Sequence, residues 1–115
     1  MKDKIGNEAR LLHILDSIQE IEKYTQNISL DDFLKNDMMQ NACIRLLEVI
    51  GEASRSISDD LKLQFPEIEW REIVDLRNLL LHEYFGVDLN IVWSIIQFDL
   101  PPLKSKIQNV LIKFR

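Results

Sequence analysis

Within the run RNLLLHEYFG, residues 77–86, an arginine, an asparagine, a histidine and a tyrosine interrupt an otherwise leucine-rich segment. A helix that only had to be buried would need none of them. Histidine has an ordinary pKa of about 6.5, so it gives and takes a proton at neutral pH. Arginine adds a permanent charge and a planar fork that can hold a phosphate or stabilise a pentacovalent transition state. Together Arg77 and His82 suffice for metal-free phosphodiester cleavage, provided the substrate carries its own nucleophile, as the ribose 2′-hydroxyl of RNA does. His82 would deprotonate that hydroxyl or protonate the leaving 5′-oxygen. Arg77 would stabilise the phosphorane, and Asn78 would orient a phosphate or the imidazole.

Spacing constrains how these groups can meet. At ~100° per residue, the seven steps from Arg77 to Tyr84 return to within about 20° of the starting direction, so these two share a helix face. The five steps from Arg77 to His82 leave roughly 140° between them. On a straight helix the pair cannot converge on one small ligand. Either the helix frays near His82, or a two-fold partner brings its own copies to a common groove. A plainer reading stays open for each residue: His82 as a satisfied helix-end histidine, and Tyr84 as an interfacial aromatic with a wet hydroxyl. Arg77 could equally be a surface ion pair with Asp75, Glu83 or an acid on the third helix.

Composition narrows the function classes. At 115 residues the chain fits one domain, 1–115, and its 46% hydrophobic and 29% charged residues are those of a globular protein with a core. A net charge of -5 argues against a surface that grips nucleic acid through a broad basic track. Between Arg71 and Tyr84, two arginines face Glu72, Asp75 and Glu83. Any nucleic-acid site must be local, built on Arg77 with help from Arg45, Arg55 or Arg71. Cys43 is the sole cysteine, which excludes an internal disulfide and suits a buried thiol in a reduced cytoplasm. With His13 and His82 the only histidines and no ligand-spaced cluster, neither a metal nor a cofactor is expected. No secretory leader or membrane-spanning run is apparent.

The elements that must position the motif read as helices, because three glycines and three prolines leave long stretches of helical periodicity. Leu11, Ile14, Ile18, Ile21 and Ile28 mark one apolar stripe on a first helix over about 3–25. Ser29, three residues before Asp32, starts a short second helix with a capping box. A long third helix carries a stripe of Met39, Ala42, Leu46, Val49, Ile50, Ala53 and Ile57, and Gly51 inside it implies a close neighbouring helix. Ser58 caps a brief segment that ends at Pro66, a new helix begins near Trp70, Gly86 marks its end, and Asp88 caps the last. Pro101 and Pro102 predict a kink there, followed by a short helical continuation to Phe114. Trp70, Trp93 and Phe98 sit on helical stripes and read as core or dimer contacts. The fold class is all-α: an antiparallel bundle of about three long helices plus short ones.

The segments RNLLLHEYFGVD, PEIEWREIVDL and IRLLEVIGEASRSIS, with LLHILDSIQEIEKYT before them and VWSIIQFDLPPLKSKI after, resemble the HepT-like proteins of the HEPN superfamily over nearly the whole chain. The resemblance implies a dimerising helical bundle in which the R-x4-H motifs of two subunits face a shared cleft. It also implies a metal-independent ribonuclease, the toxin half of a two-gene toxin–antitoxin module of the type VII kind, acting on an RNA such as tRNA. Arg77 and His82 match the catalytic pair, with Asn78 as the supporting polar residue. The implied partner is a minimal nucleotidyltransferase antitoxin, which transfers AMP to the motif tyrosine, here Tyr84. The rival expectation is a non-catalytic subunit that binds nucleotide or scaffolds the transferase.

Overall fold

A computed structural model describes the backbone of residues 2–82 and 86–114 and the side chains of residues 6–81 and 86–114. Among the described residues there is no strand. The chain forms α1 (Lys2–Thr25), α2 (Leu30–Leu34), α3 (Asp37–Ser56), α4 (Asp59–Gln64), α5 (Trp70–His82), α6 (Leu89–Ser94) and α7 (Leu100–Phe114), with a π-helical turn over Ile95–Asp99. The all-α bundle is as expected. It has four long helices rather than three, because α7 runs for 15 residues where a short continuation was expected.

α3 is the central helix, with α1 and α5 packed against it and α7 closing over α1. Leu11, Ile14, Ile18 and Ile21 of α1 are fully buried, as their spacing predicts. α1 ends at Thr25, whose hydroxyl donates to the Ile21 carbonyl at 2.8 Å, and Asn27 then takes a left-handed φ of 60°. Asparagine tolerates that conformation, so the helix stops there and Ile28 packs from beyond its end.

The expected stripe on α3 is only partly right. Ile50 and Ala53 are buried, as is Ile57 at the helix end, but the deepest line also takes Cys43, Leu47, Gly51 and Ser54, while Met39, Leu46 and Val49 are half-buried. A helix sandwiched between two others is apolar over a wide arc, and periodicity alone does not say which line faces the centre. Gly51 behaves as expected: a Cβ there would collide with the Cβ of Arg77 and come within 3.0 Å of its Cγ. The bare backbone lets α5 close on α3.

Side-chain caps fix the short elements. Ser29 and Asp32 form the reciprocal capping box of α2, the Ser58 hydroxyl accepts from the Leu61 N–H at α4, and Asp88 accepts from the Asn90 N–H at α6. One tie spans the chain. The Asn7 side-chain amide donates to the Ser58 hydroxyl at 2.9 Å, and its carbonyl oxygen accepts from the Ser58 N–H at 3.0 Å. This buried clamp locks the start of α1 against the end of α3, so the two helices run antiparallel in a fixed register.

Near the prolines the irregularity takes the form of a π turn, in which the Leu100 N–H reaches back five residues to the Ile95 carbonyl. Pro101 and Pro102 bring no N–H to the ladder, and the wider turn ahead of them absorbs the mismatch. Trp70 is buried and its indole N–H donates to the Phe65 carbonyl at 3.1 Å, while Trp93 stacks obliquely on Phe33. Phe98, in contrast, is 73% exposed and is no part of the core. No helix among the described residues is long and apolar enough to cross a membrane.

Candidate functional site

Of the leucine triplet in the motif, Leu80 alone is buried, and Leu79 and Leu81 are largely exposed. α5 therefore presents much of the motif outward instead of spending it on the core. Arg77 turns across Gly51 toward α3. There its Nη2 pairs with Oε2 of Glu52 at 2.6 Å, and its Nη1 donates to Oδ1 of Asn78 at 3.2 Å. The guanidinium side chain is 19% exposed and the Glu52 carboxylate 54%. Glu52 is the acid on the third helix that the plain reading of Arg77 allowed for, and Asn78 is the arginine's second anchor.

Arg77 lines a groove of about 700 Å³ between α1, α3 and α5. Arg10 and His13 of α1, Arg45, Glu48 and Glu52 of α3, and Leu81 of α5 share it. Three arginines and a histidine against two glutamates give this groove a cationic balance on an otherwise acidic chain. Arg45 is here as the sequence allowed, whereas Arg55 and Arg71 are not among its lining residues. Arg10 and His13 went unrecognised as site residues, since their arrival depends on the α1–α3 register set by Asn7 and Ser58.

A second cleft, of about 310 Å³ between α3, α5 and α7, has the opposite character. Its apolar floor is rimmed by Glu69, Glu72 and Asp99 with Lys106. A hydrogen bond that the protonated Glu72 carboxyl donates to Glu69, followed by the negative charge of that neighbour, raises Glu72 above its ordinary value. Such a rim repels phosphate, so of the two the Arg77 groove is the one fitted to an anionic polymer. Among the described residues there is no cluster of His, Cys, Asp and Glu able to hold a metal ion.

His82 is the last residue of α5, so the backbone stays helical from Arg77 through His82 and the roughly 140° between them persists. The His82 side chain and the whole of Tyr84 lie outside the described residues.

The family model described as "Ribonuclease HepT-like" matches residues 14–110, a span that holds α3, α5 and the motif. The chain belongs to the HepT-like ribonuclease family. Among relatives, a protein of Thermococcus cleftensis named "Probable ribonuclease HepT" is 44% identical over 107 residues, covering 93% of this chain and 97% of its own. A protein of Aphanizomenon flos-aquae named "tRNA nuclease HepT" is 32% identical, covering 81% of this chain and 79% of its own. The HepT-like assignment agrees with the resemblance carried by the sequence motifs.

Proposed function

We propose that this HepT-like chain is a metal-independent endoribonuclease toxin that works as a homodimer in the cytoplasm, with tRNA as its substrate class. The observation that carries the reading is the position of Arg77: a permanent cation, anchored by Glu52 and Asn78, on a cationic groove of an acidic protein. Membership in a ribonuclease family supports it, and the relative named a tRNA nuclease supports the substrate class.

In the proposed reaction the ribose 2′-oxygen attacks the adjacent phosphorus, the 2′-O–P bond forms and the P–O5′ bond breaks, leaving a 2′,3′-cyclic phosphate. His82 takes the proton from the 2′-hydroxyl or delivers one to the departing 5′-oxygen. Arg77 meets the charge that builds on the phosphorane oxygens. On a continuous α5 the two residues of one chain diverge, so the partner subunit's copy completes the site. Exposed Leu79 on α5 and Ile91 on α6, which line one cleft, supply apolar surface for that contact.

Control of the toxin falls to a nucleotidyltransferase antitoxin that moves AMP to Tyr84. Tyr84 follows Arg77 by seven residues in the sequence, and a nucleotide added there would bring bulk and negative charge against the RNA phosphate that the toxin must receive. The reading is tested by incubating RNA with the protein in excess EDTA and analysing the ends. Cyclic phosphate ends from native RNA, and none from 2′-O-methyl RNA, are expected. Cleavage of the 2′-O-methyl substrate would exclude the internal nucleophile.

A further inference from the structure

Arg10 and Arg45 line the Arg77 groove, yet neither takes part in an ion pair or side-chain hydrogen bond among the described residues. The Arg10 guanidinium lies back over Gly6, where a Cβ would stand 2.9 Å from its Nη1. Arg45 is exposed. Among the described residues both are charges without an ion-pair partner, on the wall of the groove that also holds the Arg77–Glu52 pair.

Their placement along the groove follows from helix register. The Asn7–Ser58 clamp fixes antiparallel α1 and α3 at one end. At ~1.5 Å per residue, the Arg10 backbone lies about 4.5 Å down α1 from that clamp with its guanidinium turned back toward Gly6, and His13 reaches the neighbourhood of Glu52. Arg45 stands seven residues before Glu52 on α3, roughly 10 Å along the axis in the other direction. The arginines are thus strung in the order Arg10, then Arg77, then Arg45. No single phosphate can touch all three arginines, but consecutive phosphates of an extended strand can.

Resting on the ribonuclease reading, we infer that Arg10 and Arg45 bind the backbone phosphates on either side of the one held at Arg77. The groove then reads at least three consecutive phosphates of a single-stranded RNA segment, and a dinucleotide fills only its middle. Binding carried this way releases counterions, at about 0.7 per neutralised phosphate on a single strand.

The test is binding of a short 2′-O-methyl oligonucleotide, which cannot be cut, across a salt series, for the wild type and the Arg10→Gln/Arg45→Gln double variant, with melting curves as the folding control. A 2′-O-methyl dinucleotide serves as the short probe. The double variant should bind the oligonucleotide more weakly, with a salt slope shallower by about 1.4, and bind the dinucleotide as the wild type does. An unchanged slope for the oligonucleotide overturns the inference and leaves cleavage at Arg77 standing. A wild type that binds neither probe and cuts no RNA overturns the ribonuclease reading and the inference with it.

Discussion

Arg77 rests its aliphatic stem on the bare backbone of α3 at Gly51, and this contact decides where the guanidinium goes. With the stem against α3, the charged end emerges beside Glu52, one residue further along, and not on the outer face of α5 with Leu79. The glycine therefore serves the site as well as the packing.

Replacing Gly51 by alanine should gain about 1 kcal/mol of helix propensity at an unconstrained position. Here the added Cβ collides with the Arg77 Cβ, so α3 and α5 must separate. Overpacking of this kind costs about 1–3 kcal/mol, which outweighs the propensity gain. Gly51→Ala should lower the midpoint of thermal unfolding and displace Arg77, reducing RNA cleavage along with stability. A more stable variant of full activity would show that the helices are not held this close.

Glu52 both anchors Arg77 and puts a negative charge where, on the proposed reading, RNA phosphate sits. The carboxylate is more than half exposed, so its pair with Arg77 contributes under about 1 kcal/mol to folding. Glu52→Gln keeps an acceptor for the guanidinium and removes the repulsion. The expected result is an unchanged melting point with a KM for RNA lower by about threefold, the size of a screened interaction between exposed charges. Steady-state kinetics decide the matter. A loss of kcat at constant KM would mean that Glu52 acts chiefly by orienting Arg77.

Burial pushes the Cys43 thiol from 9.0 up to about 11. Between those values the unfolded chain loses the proton while the folded chain keeps it. Stability that is complete below pH 9 is therefore lost as pH rises through that window. Urea unfolding at about pH 8 and about pH 10 should show an alkaline loss about 1 kcal/mol larger for the wild type than for Cys43→Ala. Equal losses would place the thiol in contact with solvent.

The parts of this fold that the sequence disclosed are those governed by local geometry. Ser29, Ser58 and Asp88 cap their helices through bonds to residues two or three positions away, and the α1 stripe follows from helical period alone. Gly51 announced a close neighbour, although not that Arg77 would be the residue to use it. What remained hidden depends on register between distant segments. The Asn7–Ser58 clamp joins positions 51 residues apart, and it brings Arg10 and His13 to a groove otherwise built from α3 and α5. The deep line of α3 escaped for the same reason, since Cys43 and Leu47 outrank Leu46 and Val49 only once α1 and α5 are both in place. Of the two places open to Phe98, core or dimer contact, its exposure within one chain at the π turn removes the core.

The central claim is that Arg77 and His82 cut RNA without a metal. It is tested most directly by incubating total tRNA in excess EDTA with the wild type, Arg77→Ala and His82→Ala, after circular dichroism and mass measurements confirm equal folding and assembly. The account predicts cleavage by the wild type and none by either variant. Wild-type cleavage matched by His82→Ala, or an inert wild type whose Tyr84 is unmodified by mass, would contradict it.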